Sequence, residues 1–216
     1  MATQKYETAE FYANSITHGL GLIASIVGLA ILVAFTAARN NAFDMAAVSV
    51  FGASLIILYT ASTLYHSASE GKLRNALMVL DHAAIFLLIA GTYTPIAAIA
   101  LIDGVGVTVL VLIWTLALVG VVFKLFAAGK YDKVSVALYL AMGWLVVFFG
   151  ESALGELNAG AVWLIALGGA SYTVGVIFYL WEKLPFSHAI WHLFVLGGSV
   201  LHYLAILLYI VIPPAS

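Results

Sequence analysis

Apolar runs of about twenty residues, broken by short charged connections, repeat along the whole chain, and a run of that length is what an α-helix needs to cross a bilayer. The runs lie near 16–37, 45–66, 77–101, 105–127, 134–150, 159–181 and 187–211. They predict an all-α polytopic membrane protein with seven transmembrane helices in a single domain, 1–216. The connections hold nearly all the charge: Arg39-Asn40-Asn41, Glu70 to Arg74, Asp103-Gly104, Gly129 to Lys133, Glu151 to Gly160, and Trp181 to Pro185. Strands of a membrane barrel would be shorter and would alternate polar with apolar residues, and these runs do not alternate.

Composition supports lipid as the solvent. Hydrophobic residues make up 64% of the chain, charged residues only 8%, and the mean hydropathy is +1.12. A soluble domain usually carries about 25% charged residues. The net charge of −2 gives no reason to expect a nucleic-acid partner. Cysteine is absent, which excludes disulfides and thiolate metal sites. Met1 to Ser15 is polar, contains Glu7 and Glu10, and lacks the basic start of a secretion signal, so the first span is expected to be retained.

Orientation follows from lysine and arginine. Lys5, Lys72, Arg74, Lys124, Lys130, Lys133 and Lys183 fall on one side, with Lys124 expected to snorkel there from the end of span four. Arg39 stands alone on the other. The positive side is cytoplasmic, which puts the N-terminus inside and the C-terminus outside. The multi-pass chain is expected in a bacterial plasma (inner) membrane, with membrane lipids as its partners. Glycines such as Gly19, Gly21, Gly168, Gly169, Gly197 and Gly198 are expected to let helices pack closely.

Ionisable groups inside spans are costly and usually functional. Ser62 and His66 sit at the inner end of span two, Asp81 and His82 near the inner start of span three, and His188 and His192 at the inner start of span seven. Each element alone has a plain structural explanation. A single HxxxH pair is weak evidence, and an Asp-His dipeptide near an interface is ordinarily just solvated. Together they bring one chemical type from three helices to one depth. His188 and His192 share a helix face at i, i+4, and so do Ser62 and His66. Two imidazoles of one helix can grip a metal, and His66 can complete a three-histidine site with an open fourth position, the pattern of catalytic zinc. Histidine and carboxylate ligands suit Zn2+ without excluding iron, copper or nickel. His18 and His202 are read as structural or interfacial; His202 lies about 15 Å further outward than His192.

At these residues the chain resembles the bacterial hemolysin III family, within the progestin and adiponectin receptor superfamily. The resemblance runs from Asn14-Ser15-Ile16-Thr17-His18-Gly19 through Ala61 to His66, Asp81-His82, Ala90 to Pro95 and His188 to His192, as far as His202-Tyr203. It implies a zinc ion held by His66, His188 and His192, with Asp81 matching a carboxylate that contacts the water at the metal, and Ser62 a serine near it. The superfamily includes alkaline ceramidases, so lipid amide hydrolysis is the chemistry the resemblance implies. The long N-terminal cytosolic domain of the animal receptors is missing, and a hormone-receptor role is not expected.

Three function classes compete. A zinc-dependent lipid amide or ester hydrolase, contributing to membrane lipid homeostasis, fits an open three-histidine site beside an acid. A non-enzymatic membrane sensor or regulator with structural zinc fits if Asp81 becomes a fourth ligand. A channel or pore-forming hemolysin would want polar residues strung across the membrane, where this chain is nearly all apolar.

Overall fold

The computed structural model describes residues 2–127, 129–181 and 183–212; Glu182, counted above in a connection, lies outside them, as do the side chains of Lys5 and Glu7. Helix α1 is Ala2–Ala37, α2 is Ala42–Ser67, α3 is Lys72–Pro95 with a π-helical turn Ile96–Ala100, and α4 is Gly106–Ala127. Helix α5 is Asp132–Gly143, followed by a 3-10 turn Leu145–Phe149 and the short α6, Glu151–Leu154. Helix α7 is Ala159–Leu180, and α8 is Ser187–Ile206 with a π-helical turn Leu207–Val211. The described residues contain no strand.

Six of these helices are long and apolar enough to cross a membrane. The fifth expected span differs. Residues 134–150 do not form one helix: α5 stops at Gly143, Trp144 leaves the α-helical region, and the chain tightens into the 3-10 turn. An unbroken apolar run hides that break. The backbone groups freed there are satisfied by one side chain. The Tyr93 hydroxyl donates to the Gly143 carbonyl at 3.0 Å and accepts from the Val146 N–H at 3.0 Å. Such repair is what a low-dielectric interior demands of irregular backbone.

The broken segment runs alongside α3, parallel to it. Tyr139 of α5 bonds the His82 carbonyl early in α3, at 2.8 Å, whereas the 3-10 turn meets Tyr93 near the end of α3. Twelve α-helical and five 3-10 residues span roughly 28 Å, close to the hydrocarbon thickness. Helix α7 then returns antiparallel to α8: Gly160 packs on Tyr209, Gly168 on His202 and Gly175 on Trp191. A Cβ at any of the three would overlap its partner, so these glycines do allow close approach. Six continuous helices are thus long and apolar enough to cross, one fewer than the seven expected, and the discontinuous segment stands in the place of the fifth expected span.

Helix α1 begins well before residue 16, so the polar tail is helical rather than a loop, and Asn14 and Thr17 lie within that helix. Helix α3 is the central one, with 72% of its most apolar window buried against 28% or less for α1, α4 and α7. Phe51, Tyr59, Phe86 and Ile113 fill the core. Ile23, Val27, Val111, Val119 and Ile177 are more than half exposed, and only lipid accommodates such a surface. Outside the site, Arg39 ties two ends together, pairing with Asp44 at 3.3 Å and donating to the Ile210 carbonyl at 2.8 Å. Lys124 does not snorkel outward as expected. It is 1% exposed and turned inward, with its ammonium 2.9 Å from Asp132.

Candidate metal centre

Helix α2 is started by Asn41, whose side chain accepts from the N–H groups of Phe43 and Asp44. Its last turn carries His66. The four-residue turn to α3 includes Gly71 at φ 146°, a conformation open to glycine. That tight hairpin returns α3 beside α2 and sets Asp81 next to Ser62. Helix α8 begins after Phe186 and presents His188 and His192 from its first two turns. The three histidines meet: one ligand nitrogen from each of His66, His188 and His192 lies within 4.8 Å of the others. His66 and His192 are buried and His188 is half-buried.

The geometry suits a metal ion. The Nε2 atoms of His66 and His188 are 3.2 Å apart. Two nitrogens about 2.0–2.1 Å from a tetrahedral ion would be roughly 3.3 Å apart. His192 is oriented for the same purpose. Its Nδ1 lies 3.2 Å from the Asn14 carbonyl oxygen and 3.1 Å from Thr17 Oγ1. A carbonyl only accepts, so Nδ1 carries the proton and the Nε2 lone pair is left for an ion. This outer support of a ligand imidazole is the usual companion of a metal site.

A cavity of about 120 Å³ opens beside the cluster, room for a few waters. His188, His192, Ser62 and Asp81 share its wall, and Leu58, Ile85, Leu88, Val136 and Val195 make much of the rest apolar. Ser62 is 1% and Asp81 8% exposed. The Ser62 hydroxyl lies beside the Asp81 carboxyl but makes no hydrogen bond of good geometry, and so remains an unspent buried donor. His82 is not one of the three grouped histidines; its Nδ1 lies 3.8 Å from the Asp132 carboxylate. His202 lies elsewhere on the same wall, donating from Nδ1 to the Gly198 carbonyl at 2.8 Å and stacking on Tyr172.

His18 belongs to the site, which its sequence position did not reveal. Its ring stacks on His192 with centroids 3.5 Å apart, meets Tyr59 edge-on, and has no hydrogen-bond partner at either nitrogen. The signal was present in the i, i+4 spacing of Asn14 and His18, which places the His192 acceptor and this ring on one face of α1.

A comparison with known sequences settles the lineage. Residues 7–203 match the family model described as Haemolysin-III related. The chain belongs to the haemolysin III family. It is 44% identical over 205 residues to the Hemolysin-3 homolog of Bacillus subtilis (strain 168), covering 95% of this chain and 96% of the relative. It is 46% identical over 207 residues to Hemolysin-3 of Bacillus cereus, covering 96% and 94%. It is 28% identical over 213 residues to the Monocyte to macrophage differentiation factor of Homo sapiens, covering 96% and 87%. No solved structure matches it. Haemolysin III membership and the apolar helices make it a multi-pass membrane protein, consistent with the plasma membrane.

Proposed function

We propose that this haemolysin III protein is a zinc-dependent hydrolase of lipid amides or esters that acts in membrane lipid homeostasis, with His66, His188 and His192 holding the metal. The observation that carries this reading is the convergence of three imidazoles within 4.8 Å, two of them, His188 and His192, on the wall of a mostly apolar cavity that also presents a buried serine and a buried acid. A bound zinc ion supplies a Lewis acid that activates water and polarises a carbonyl. The protein does the rest. Asn14 and Thr17 fix the tautomer and angle of His192. Asp81, buried on the cavity wall, orients the attacking water and takes its proton as general base. Ser62 donates its unspent hydrogen bond to the carbonyl oxygen as negative charge builds there. The apolar wall excludes bulk water and receives an acyl chain, so the substrate is amphipathic.

One observation favours a second reading. Asp81 is buried without a cationic partner among the described residues, so it is free to serve as a fourth ligand and close the site. The protein would then be a lipid-state sensor with structural zinc. Asp81→Asn separates the two, because it keeps the side chain's shape and removes the base. The hydrolase reading expects that variant to fold and retain zinc yet cleave no ceramide or phospholipid from a panel that the wild type cleaves. Loss of zinc from Asp81→Asn, or no cleavage by the wild type, supports the sensor.

A further inference from the structure

A second constellation lies on the cavity wall beside the three histidines. Lys124 is buried to 1% exposure near the end of α4. An ammonium has three N–H donors. Among the described residues Lys124 spends one of them, on Asp132 Oδ1 at 2.9 Å. Asp132 opens α5 and its side chain is 37% exposed. His82 faces the same carboxylate oxygen at 3.8 Å, and its buried Nδ1 has no hydrogen-bond partner. All three residues line the cavity that His188 and His192 also line. Outside this corner, Lys130 and Lys133 are exposed on the same connection.

A lysine so placed is costly. Burying an ammonium loses its hydration, and an ion pair repays that loss only when the remaining donors are satisfied. Here two ammonium donors and one imidazole nitrogen remain without a partner among the described residues, on side chains whose residues line the cavity. The single counter-charge is the more exposed partner, held at a helix start from which it can turn to solvent. A simple structural pair would have the opposite arrangement, with the carboxylate packed and the donors used up.

We propose that Lys124 and His82 form a phosphate-binding corner in which Asp132 is the resident surrogate, displaced when a phosphate group enters. Lys124 supplies the charge, and the Lys124 ammonium and the His82 ring supply hydrogen bonds to phosphate oxygens. The exposed lysines raise the local concentration of anions at the mouth. This deepens the lipid-hydrolase reading and rests on it for the identity of the lipid: the substrate carries a phosphate in its headgroup near the bond presented to the histidines. The binding corner itself requires neither zinc nor cleavage.

A surrogate makes a distinctive prediction, because the two members of the ion pair act in opposite directions. Full-length protein in detergent would be titrated with dioctanoyl phosphatidic acid, with the uncharged dioctanoylglycerol, and with inorganic phosphate. Wild type is expected to bind the phosphatidic acid about tenfold more tightly than dioctanoylglycerol, a preference typical of one buried charge-assisted contact. Asp132→Asn should strengthen phosphatidic acid binding severalfold, and Lys124→Gln should abolish the headgroup preference while leaving dioctanoylglycerol binding unchanged. Inorganic phosphate competing at the same concentration as the phosphatidic acid assigns the corner to free phosphate; weak competition assigns it to the lipid headgroup. Either result supports the corner. If wild type shows no headgroup preference, or if Asp132→Asn weakens binding as a broken structural pair would, the proposal is overturned. Asp132→Asn carries the test by itself should Lys124→Gln fail to fold. Zinc-loaded protein is assayed for lipid cleavage alongside the titration: preserved preference together with absent cleavage sinks the hydrolase reading and leaves the corner standing, and zinc-stripped protein should keep the preference.

Discussion

The Nε2 atoms of His66 and His188 are 3.2 Å apart although 122 residues separate them in sequence. No local folding preference brings two imidazole nitrogens that close. Helix α2 must end, α8 must begin, and both must do so at one depth. The His192 ring completes the group, with its centroid 4.9 Å from His66 and 4.6 Å from His188.

The support of His192 is testable apart from the ligands. Thr17→Val keeps the shape of the side chain and removes one of the two oxygens facing His192 Nδ1. Metal affinity, measured by chelator competition, is expected to fall roughly tenfold, the lower end of outer-shell effects, since the Asn14 carbonyl remains. Unchanged affinity would mean that Asn14 orients the ring alone.

The repair of the broken fifth segment gives a stability prediction. Tyr93→Phe removes the hydroxyl that serves both the Gly143 carbonyl and the Val146 N–H. The buried Val146 N–H and the more exposed Gly143 carbonyl lose this partner, at a cost of about 1–3 kcal/mol. Thermal unfolding in detergent should show the loss, with Thr94→Val as a comparison: it strips the bonds of the Thr94 hydroxyl to the Ala90 carbonyl and from Trp114 Nε1, but the Ala90 carbonyl lies within regular helix, so one N–H at most is left without a partner and the cost should be smaller.

Much of this was legible in the sequence, and the failures have physical causes. The spans follow from length and hydropathy, because lipid imposes one solution on every apolar run. His66, His188 and His192 stood out because an imidazole in a span is expensive and because i, i+4 spacing declares a shared face. His18 was hidden because its partner is His192, on the far end of the chain, and because α1 extends to Ala2, burying a position expected at the interface. Lys124 misled because hydropathy sees a basic residue at a helix end, where snorkelling is normal, and cannot see that Asp132 waits on the inner side. The break after Gly143 was invisible because Leu145 to Phe149 are as apolar as any span, and only Tyr93, from another helix, makes the irregular backbone tolerable.

The discontinuous fifth segment has a topological consequence. If residues 132–149 cross and the basic connections are cytoplasmic, a reporter active only in the cytoplasm should be silent when fused after Ser216 and active when inserted between Gly129 and Lys130. Activity at both positions would mean that residues 132–149 turn back instead of crossing.

The central claim is that three histidines hold one metal ion, and metal analysis of purified protein tests it most directly. Wild type, Asp81→Asn and His202→Ala are each expected to carry about one zinc per chain, while His66→Ala, His188→Ala and His192→Ala should each keep about a tenth or less, since loss of one of three protein ligands cripples such a site. Full zinc occupancy in His66→Ala would contradict the account and require a site rebuilt on other ligands, with His82 the first to test.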